Sequence, residues 1–290
     1  MEAGGLTSAA APGLTAPAAA GLIPDALHLA ATALPRSPWL APWREAIATL
    51  APRDHQARIA WLDAQSQALD LRNAVGRRIA FAPAADAGDA PYEAHIHATG
   101  RVPTRAATPD SAHDLFNALV WLRCPRAKAQ LNAQQARVLA RQGVQATRGA
   151  TRDAATLIDE NALLLACRGA AVARELEALL AAHDWPAGFL HRRAAWHDAI
   201  VPHAFGHALL DKLVRPYKAL TAHAIVLDVA AADDAAQVDA GLAAWLAGST
   251  LSPRVLRPLP VLGIPGWWPA NEAADFYADS AVFRPQRHAV

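Results

Sequence analysis

The chain has 290 residues, of which 53% are hydrophobic and 18% are charged, and its formal net charge is +1. This composition indicates a globular rather than a disordered protein, and the nearly neutral charge argues against a dedicated nucleic-acid surface. Two cysteines, Cys124 and Cys167, are too few for a disulfide framework or a cysteine-rich zinc module. No apolar run of the sequence approaches the roughly 18 residues that cross a bilayer, so no membrane span is expected.

The first residues of the chain differ in composition from the rest. Residues 1–22 are rich in Ala, Gly and Pro, and they lack the basic start and continuous apolar core of a secretory signal. They are expected to form a flexible lead, followed by a single globular domain over 23–290. A cytoplasmic location is the corresponding expectation. Helical patterns then predict three packing helices, over 25–31, 41–50 and 55–69.

Short alternating or apolar segments predict strands at 78–82, 92–97 and 224–229. The segment 156–165 has two apolar runs on either side of an acidic group, which predicts a β-hairpin with Asp159 and Glu160 at its tip. An apolar run this short is also compatible with a helix.

Longer patterns predict helices at 111–123, 126–143, 170–183 and from Asp233 or Asp234 to about Ala247. The first of them begins with Ser111 and Asp114, which have the spacing of a capping box. Helix is also predicted from Pro186 into a histidine-rich segment, and frequent prolines predict an irregular tail over 252–290 that wraps the body. The sum is a helix-dominated α+β domain with a small mixed or antiparallel sheet.

A candidate metal site lies in the histidine-rich segment. If that segment is helical, His203, His207 and Asp211 share one face, because residues four apart on a helix are neighbours. Two imidazoles and a carboxylate are suitable ligands for a divalent ion such as zinc or manganese. Ala204 stands where zinc metalloproteases have a glutamate, so a peptidase of that type is disfavoured. The alternative is that the histidines form hydrogen bonds at a helix–helix contact.

Two further groups of polar residues are candidates for chemistry. His113 and Asn117 are four residues apart on a helix that is apolar on nearly all sides, so both should be buried and in need of partners. They suit catalysis, and they equally suit a structural hydrogen-bond network. Glu93, His95 and His97 would project from one face of their predicted strand, as metal ligands or as its solvated side.

These candidates lead to two hypotheses about function. In the first, the protein is a metal-dependent hydrolase in which His207 and Asp211, with His113 or His203, bind one divalent ion that polarises a water molecule. In the second, it is a non-enzymatic binding or scaffold protein that presents a tryptophan-rich tail or a basic surface. The second hypothesis predicts that His113 and His207 lie apart, and the sequence does not decide between the two.

The hydrolase hypothesis assigns roles to four further residues. Asp159 or Glu160 is the candidate general base, because carboxylates can accept a proton from water. Lys212 or Arg284 is the candidate ligand for a small anionic substrate. The substrate itself, the reaction and the oligomeric state are left open by the sequence.

Several long motifs resemble an uncharacterised proteobacterial family, the domain of unknown function 3025. They are the run 113–122 with Pro125, Lys128, Leu131 and Asn132, then 152–154 with 159–160, then 205–209 with Lys212, and finally 276–277 with 282–285. The resemblance extends from about residue 30 onward and implies no particular reaction, cofactor or fold. It includes His113, Asn117, Asp159, Glu160 and His207 but not His203, which favours a site that combines His207 with His113 from a different helix.

Overall fold

The computed structural model describes residues 26–105, 111–143 and 149–286, and the flexible lead expected over 1–22 lies outside them. The described chain is mainly helical, with two small sheets, which confirms the helix-dominated α+β class. The helices are α1 Ala26–Ala33, α2 Arg44–Leu50, α3 His55–Ala68, α4 Tyr92–Thr99, α5 Ser111–Arg123, α6 Pro125–Gln142, α7 Ala150–Asn161, α8 Ala170–Ala182, α9 Arg193–Asp198, α10 His207–Leu213 and α11 Ala235–Gly248. The strands are β1 Ala80–Pro83, β2 Arg101–Thr104, β3 Ala162–Cys167, β4 Ile200–Ala204, β5 Thr221–Asp228 and β6 Arg257–Pro260.

The larger sheet has the strand order β4-β3-β5-β6. Its central pair, β3 and β5, is parallel, whereas β4 and β6 are antiparallel to their neighbours. Every residue of β3 is buried, so its sequence is a continuous apolar run instead of an alternating one. The smaller sheet pairs β1 with β2 in parallel, and α4 connects the two strands.

Helices pack around the larger sheet and around one another. Helix α8 contacts β3, β5 and β6, while α11 contacts β5 and α6. The chain is thereby joined into one hydrophobic core, in which Phe116, Trp121, Phe189 and Phe205 are among the largest fully buried side chains. Within the described ranges, no helix combines the length and the apolar character that a bilayer crossing requires.

The longest helices follow the sequence patterns closely. Helices α3, α5, α6, α8 and α11 confirm the predicted ones to within a few residues at their ends. Pro125 occupies the first position of α6, where its missing N–H costs nothing, and this separates α6 from α5. Asp234 caps α11 by accepting a hydrogen bond from the Ala236 amide at 2.8 Å.

The strand predicted over 92–97 is wrong, because this segment forms helix α4. Gly100 ends the helix in the left-handed region, at a φ of 77°, and its amide donates to the Ile96 carbonyl at 2.8 Å. A Cβ atom on Gly100 would stand 2.1 Å from the Arg78 carbonyl oxygen, so no other residue fits this turn. On the helix, Glu93 and His97 share a face, and His95 points elsewhere.

The hairpin predicted over 156–165 is also wrong. The chain remains helical up to Asn161, and Ala162 then starts β3 directly, with extended backbone angles. The apolar residues Ala154, Ala155 and Ile158 of α7 are buried at helical spacing. Asp159 and Glu160 therefore lie in the last turn of a helix instead of at the tip of a hairpin.

The histidine-rich segment is not one continuous helix. A π-helical turn over Pro186–His191 and helix α9 precede strand β4, which contains His203. Helix α10 begins only at His207. The helical stripe expected of His203, His207 and Asp211 does not form, because β4 continues the larger sheet beside β3 through this position. The C-terminal tail is irregular as expected, but it also contributes β6 to the same sheet.

Candidate active site

A cavity of about 390 Å³ lies where five helices meet. It is lined by residues from α4, α5, α6, α7 and α10, among them Glu93, His113, Asn117, Arg152, Asp159 and His207. Its size is that of a pocket for a small molecule. The elements that form it are distant in sequence, so only the folded chain assembles the site.

At the wall of the cavity, the imidazoles of His113 and His207 are in direct contact. His113 comes from α5 and His207 is the first residue of α10. Their Nε2 atoms are 3.0 Å apart, and the rings meet edge to face with their centroids at 4.3 Å. One proton between the two nitrogens gives an N–H···N hydrogen bond, in which one ring donates and the other accepts.

Behind this histidine pair lies a buried ion pair between Lys128 and Asp159. The Lys128 ammonium group donates to Asp159 Oδ1 and, at 2.7 Å, to Asn117 Oδ1. The other carboxylate oxygen, Asp159 Oδ2, is 3.8 Å from Nδ1 of His207. Side-chain exposure is only 5% for Lys128 and 11% for Asp159, so water screens this pair little.

A second set of hydrogen bonds fixes the groups around the ion pair. Nδ2 of Asn117 donates to the hydroxyl of Tyr92 at 2.8 Å. Nδ2 of Asn132 donates at 2.5 Å to the carboxylate of Glu93, and also to the Glu93 backbone carbonyl at 2.9 Å. Helix α4 is thereby tied to both α5 and α6.

The environment lowers the pKa values of both His207 and Asp159. Burial is the main cause that lowers the pKa of His207 to about 4, against the opposing attraction of the Asp159 carboxylate. Burial is the largest influence on the pKa of Asp159 and acts to raise it, but the charge and hydrogen bond of Lys128 together with the two histidines outweigh burial and hold this pKa below its usual value. At neutral pH, His207 is therefore a neutral imidazole beside an ionised carboxylate.

The lowered pKa of His207 predicts that its contribution to stability depends on pH. An unfolded histidine titrates near 6.5, so between about 6.5 and 4 the unfolded chain binds more protons at this residue than the folded chain. The stability of the wild type relative to H207Q should fall by about 3 kcal/mol as the pH drops from 7 to 4. Urea unfolding of both proteins across this range measures the difference, and a difference independent of pH would contradict the shift.

Glu93 should contribute a pH dependence of stability that is opposite in sign to that of His207. Burial is the largest cause that raises its pKa from 4.5 to about 7, and the neighbouring Asp159 carboxylate adds to the effect. The folded chain then holds this proton more tightly, so stability is lost as the pH rises from about 4.5 to 7. E93Q should gain on the order of 1–3 kcal/mol over the wild type between pH 4 and pH 8. Chemical denaturation at the two pH values tests this, and a smaller advantage at pH 8 would refute it.

The structure brings together some of the candidate residues of the sequence and separates others. His113, Asn117, Asp159, Glu160 and His207 all line the cavity. Among them Asp159 is buried and paired, whereas Glu160 is exposed.

The remaining candidates lie away from the cavity. Nε2 of His203 is 2.7 Å from the Ala232 carbonyl oxygen, and Asp211 is not among the residues that line the cavity. Lys212 and Arg284 are exposed, and neither of them borders it.

The three-ligand metal site is not assembled. No group of three or more His, Cys, Asp or Glu side chains has an arrangement suited to a metal ion among the residues that the structure describes. The reason is the break between β4 and α10, which places His203 on the sheet and His207 at the cavity.

The two tryptophans of the tail differ in exposure, and Trp268 is only partly buried. Trp267 is buried, and its ring lies 5.6 Å from that of Trp39.

The sequence patterns missed Lys128, Tyr92 and Arg152 as site residues. A usable signal for Lys128 was present in α6, where Lys128, Asn132 and Gln135 repeat at helical spacing and all three are buried. Glu93 was a candidate only as a metal ligand on a predicted strand with His95 and His97, because its segment has the alternation of a strand, whereas the structure places it on helix α4 at the cavity.

The chain belongs to the family described as Protein of unknown function (DUF3025), whose model matches residues 79–287. This range starts later than the resemblance expected from about residue 30, and it includes all the cavity residues named above. Comparison with curated proteins and with solved structures finds no match.

Proposed function

We propose that the protein is an enzyme, that the cavity is its active site, and that the reaction is the hydrolysis of a small polar substrate. The observation that carries this proposal is the contact of His113 Nε2 with His207 Nε2 at 3.0 Å on the wall of an open cavity. A binding or scaffold protein would need no such contact, and it was expected to keep the two histidines apart.

The histidine pair is the general base of the proposed reaction. The pair, in which His207 is a neutral imidazole, can accept a proton from a water molecule, whose oxygen then attacks the electrophilic centre of the substrate. The Asp159 carboxylate, 3.8 Å from Nδ1 of His207, stabilises the imidazolium that forms. The pair returns the proton to the leaving group, so that one water molecule is consumed and the histidines are restored.

Asp159 acts in this scheme through His207 and not as the base itself. Its ion pair with Lys128 favours the ionised carboxylate, which makes it a weak acceptor of protons. Lys128 and Asn117 are likewise positioning residues, because Lys128 holds the Asp159 carboxylate and Asn117 holds the Lys128 ammonium group, and neither forms a hydrogen bond with the histidine pair among the described contacts.

Turnover measurements on the full chain test the proposal. Chromogenic carboxylic esters, amides and phosphate monoesters are offered to the wild type, H113Q and H207Q, with H197Q as the matched control, since His197 is exposed on α9. At least one substrate class should be hydrolysed, with a loss of about 10²–10⁴-fold in H113Q and H207Q and none in H197Q. Absence of turnover by the wild type, or full turnover by both cavity variants, would overturn the proposal.

The distance between the two Nε2 atoms also favours a second candidate, a metal-assisted hydrolase. Nitrogen ligands about 2.0–2.1 Å from a divalent ion stand about 3 Å apart when the angle at the ion is near a right angle. His113 and His207 fit that spacing, and water or substrate would complete the coordination. Calorimetric titration with zinc and with manganese separates the candidates. One bound ion that is lost in H113Q supports the metal, and no binding supports metal-free acid–base chemistry.

A further inference from the structure

Arg152 projects from α7, the helix that also carries Asp159. Helix α7 lines the cavity with Arg152, Thr156, Asp159 and Glu160, which recur at intervals of three and four residues and so share one face. The Cα atoms of Arg152 and Asp159 are about 10 Å apart along the helix axis. Arg152 therefore starts about two helical turns before Asp159, whose carboxylate lies beside His207.

Other cations in or behind the cavity wall form ion pairs with carboxylates, whereas Arg152 has no ion pair among the described residues. Arg105 binds Asp114 through two guanidinium nitrogens at 2.9 Å each, and Lys128 is paired with Asp159. Arg152 makes no hydrogen bond or ion pair to any residue within the described ranges, and its Nε atom is buried without a partner.

A guanidinium group that borders a cavity and has no ion-pair partner can bind an anion that enters the cavity. Buried polar atoms are nearly always hydrogen-bonded, so an exception needs an explanation. The planar fork of arginine matches the two oxygens of a carboxylate or phosphate group. Glu93 is the carboxylate whose acidity Arg152 influences, and its raised pKa of about 7 leaves it largely protonated in mildly acidic solution.

We propose that Arg152 binds an anionic group, a carboxylate or a phosphate monoester, at the end of the substrate remote from the bond that is hydrolysed. This inference rests on the proposed function and specifies the substrate class of the same site. The substrate is an elongated, singly or doubly charged molecule that fits the cavity of about 390 Å³, with its reacting group at His113 and His207.

Anion binding to the full chain tests the inference independently of catalysis. Inorganic phosphate and acetate are titrated separately by calorimetry at pH 6.5 and constant ionic strength. The proteins are the wild type, R152Q, R152K and the control R44Q, since Arg44 is exposed on α2 and does not line the cavity. At least one anion should bind the wild type with saturation, and the anion that binds shows which group the substrate carries.

R152Q should weaken that binding at least tenfold, R152K should weaken it less, and R44Q should leave it as in the wild type. If R152Q does not fold, R152K serves as the test variant, because it keeps the charge but loses the planar fork. No saturable binding of either anion by the wild type would overturn the inference, and so would equal binding by all the variants.

The failures of the two proposals are distinguishable. If turnover is lost in H113Q and H207Q but anion binding is the same in R152Q and the wild type, only the inference about Arg152 is wrong. If R152Q weakens anion binding but H113Q and H207Q keep full turnover, the proposed reaction is wrong and the anion site at Arg152 is supported.

Discussion

Replacing Lys128 with methionine should lower the free energy of unfolding by about 3–5 kcal/mol at neutral pH. The substitution leaves the buried Asp159 carboxylate without its cation, and breaking a buried pair on one side costs far more than removing both charges. Asn117 Oδ1 also loses the donor that now lies 2.7 Å away. Urea unfolding of K128M and the wild type measures the loss.

Two companion variants show whether the ion pair is the cause. K212M removes an exposed lysine from α10 and should change stability by less than about 0.5 kcal/mol. The double variant K128M/D159L removes both charges and should recover most of the stability lost in K128M. A K128M protein within about 1 kcal/mol of the wild type would show that water reaches Asp159 and screens it.

Replacing Gly206 with alanine should destabilise the protein by about 3 kcal/mol or more. A Cβ atom at this position would lie 2.5 Å from the Asn161 amide nitrogen, 2.5 Å from the Glu160 carbonyl oxygen and 2.6 Å from the Ala162 amide nitrogen. All three are backbone atoms, which cannot turn away as a side chain would. We therefore expect a loss of stability at or above the upper end of the range for overpacked cores. Helix α10 would have to move away from α7.

The matched control for G206A is G248A. Gly248 is the last residue of α11, and a Cβ atom there would meet nothing within 4 Å. This variant should be as stable as the wild type or slightly more stable, since alanine restricts the unfolded chain. Thermal unfolding of both variants measures the effect, and NMR of the His207 ring reports whether the histidine pair has moved. Similar melting temperatures for G206A and G248A would contradict the prediction.

Helices with long sequence patterns could be predicted, and segments with short patterns could not. Helices α5 and α6 have more than ten residues each, and Pro125 marks the boundary between them, so the sequence is sufficient to define both. The segment of α4 has only eight residues, and its alternation of polar and apolar groups also fits a strand. Its helical state depends on the turn at Gly100 against Arg78, a contact that no local pattern contains.

The candidate site could be predicted in part. The contact between His113 and His207 was favoured by the family motifs and not by periodicity, because the residues are on separate helices. Periodicity instead favoured His203, which is four residues before His207 but lies on β4. The pairing of β4 with β3 is a long-range contact that overrides the local preference for helix, and no short motif reports it.

The junction of α7 with β3 has a consequence for how a substrate could reach the histidine pair. The amides of Phe205 and Gly206 both donate to the carbonyl of Ala162, at 3.1 and 2.8 Å, so the strand that follows Asp159 and the helix that begins at His207 are tied to one peptide group. The wall formed by α7 and α10 is thus anchored to the most deeply buried strand. We therefore expect this wall to stay in place when a substrate enters, and Tyr92 of α4, which lines the cavity and is 39% exposed, marks a part of the cavity that faces solvent.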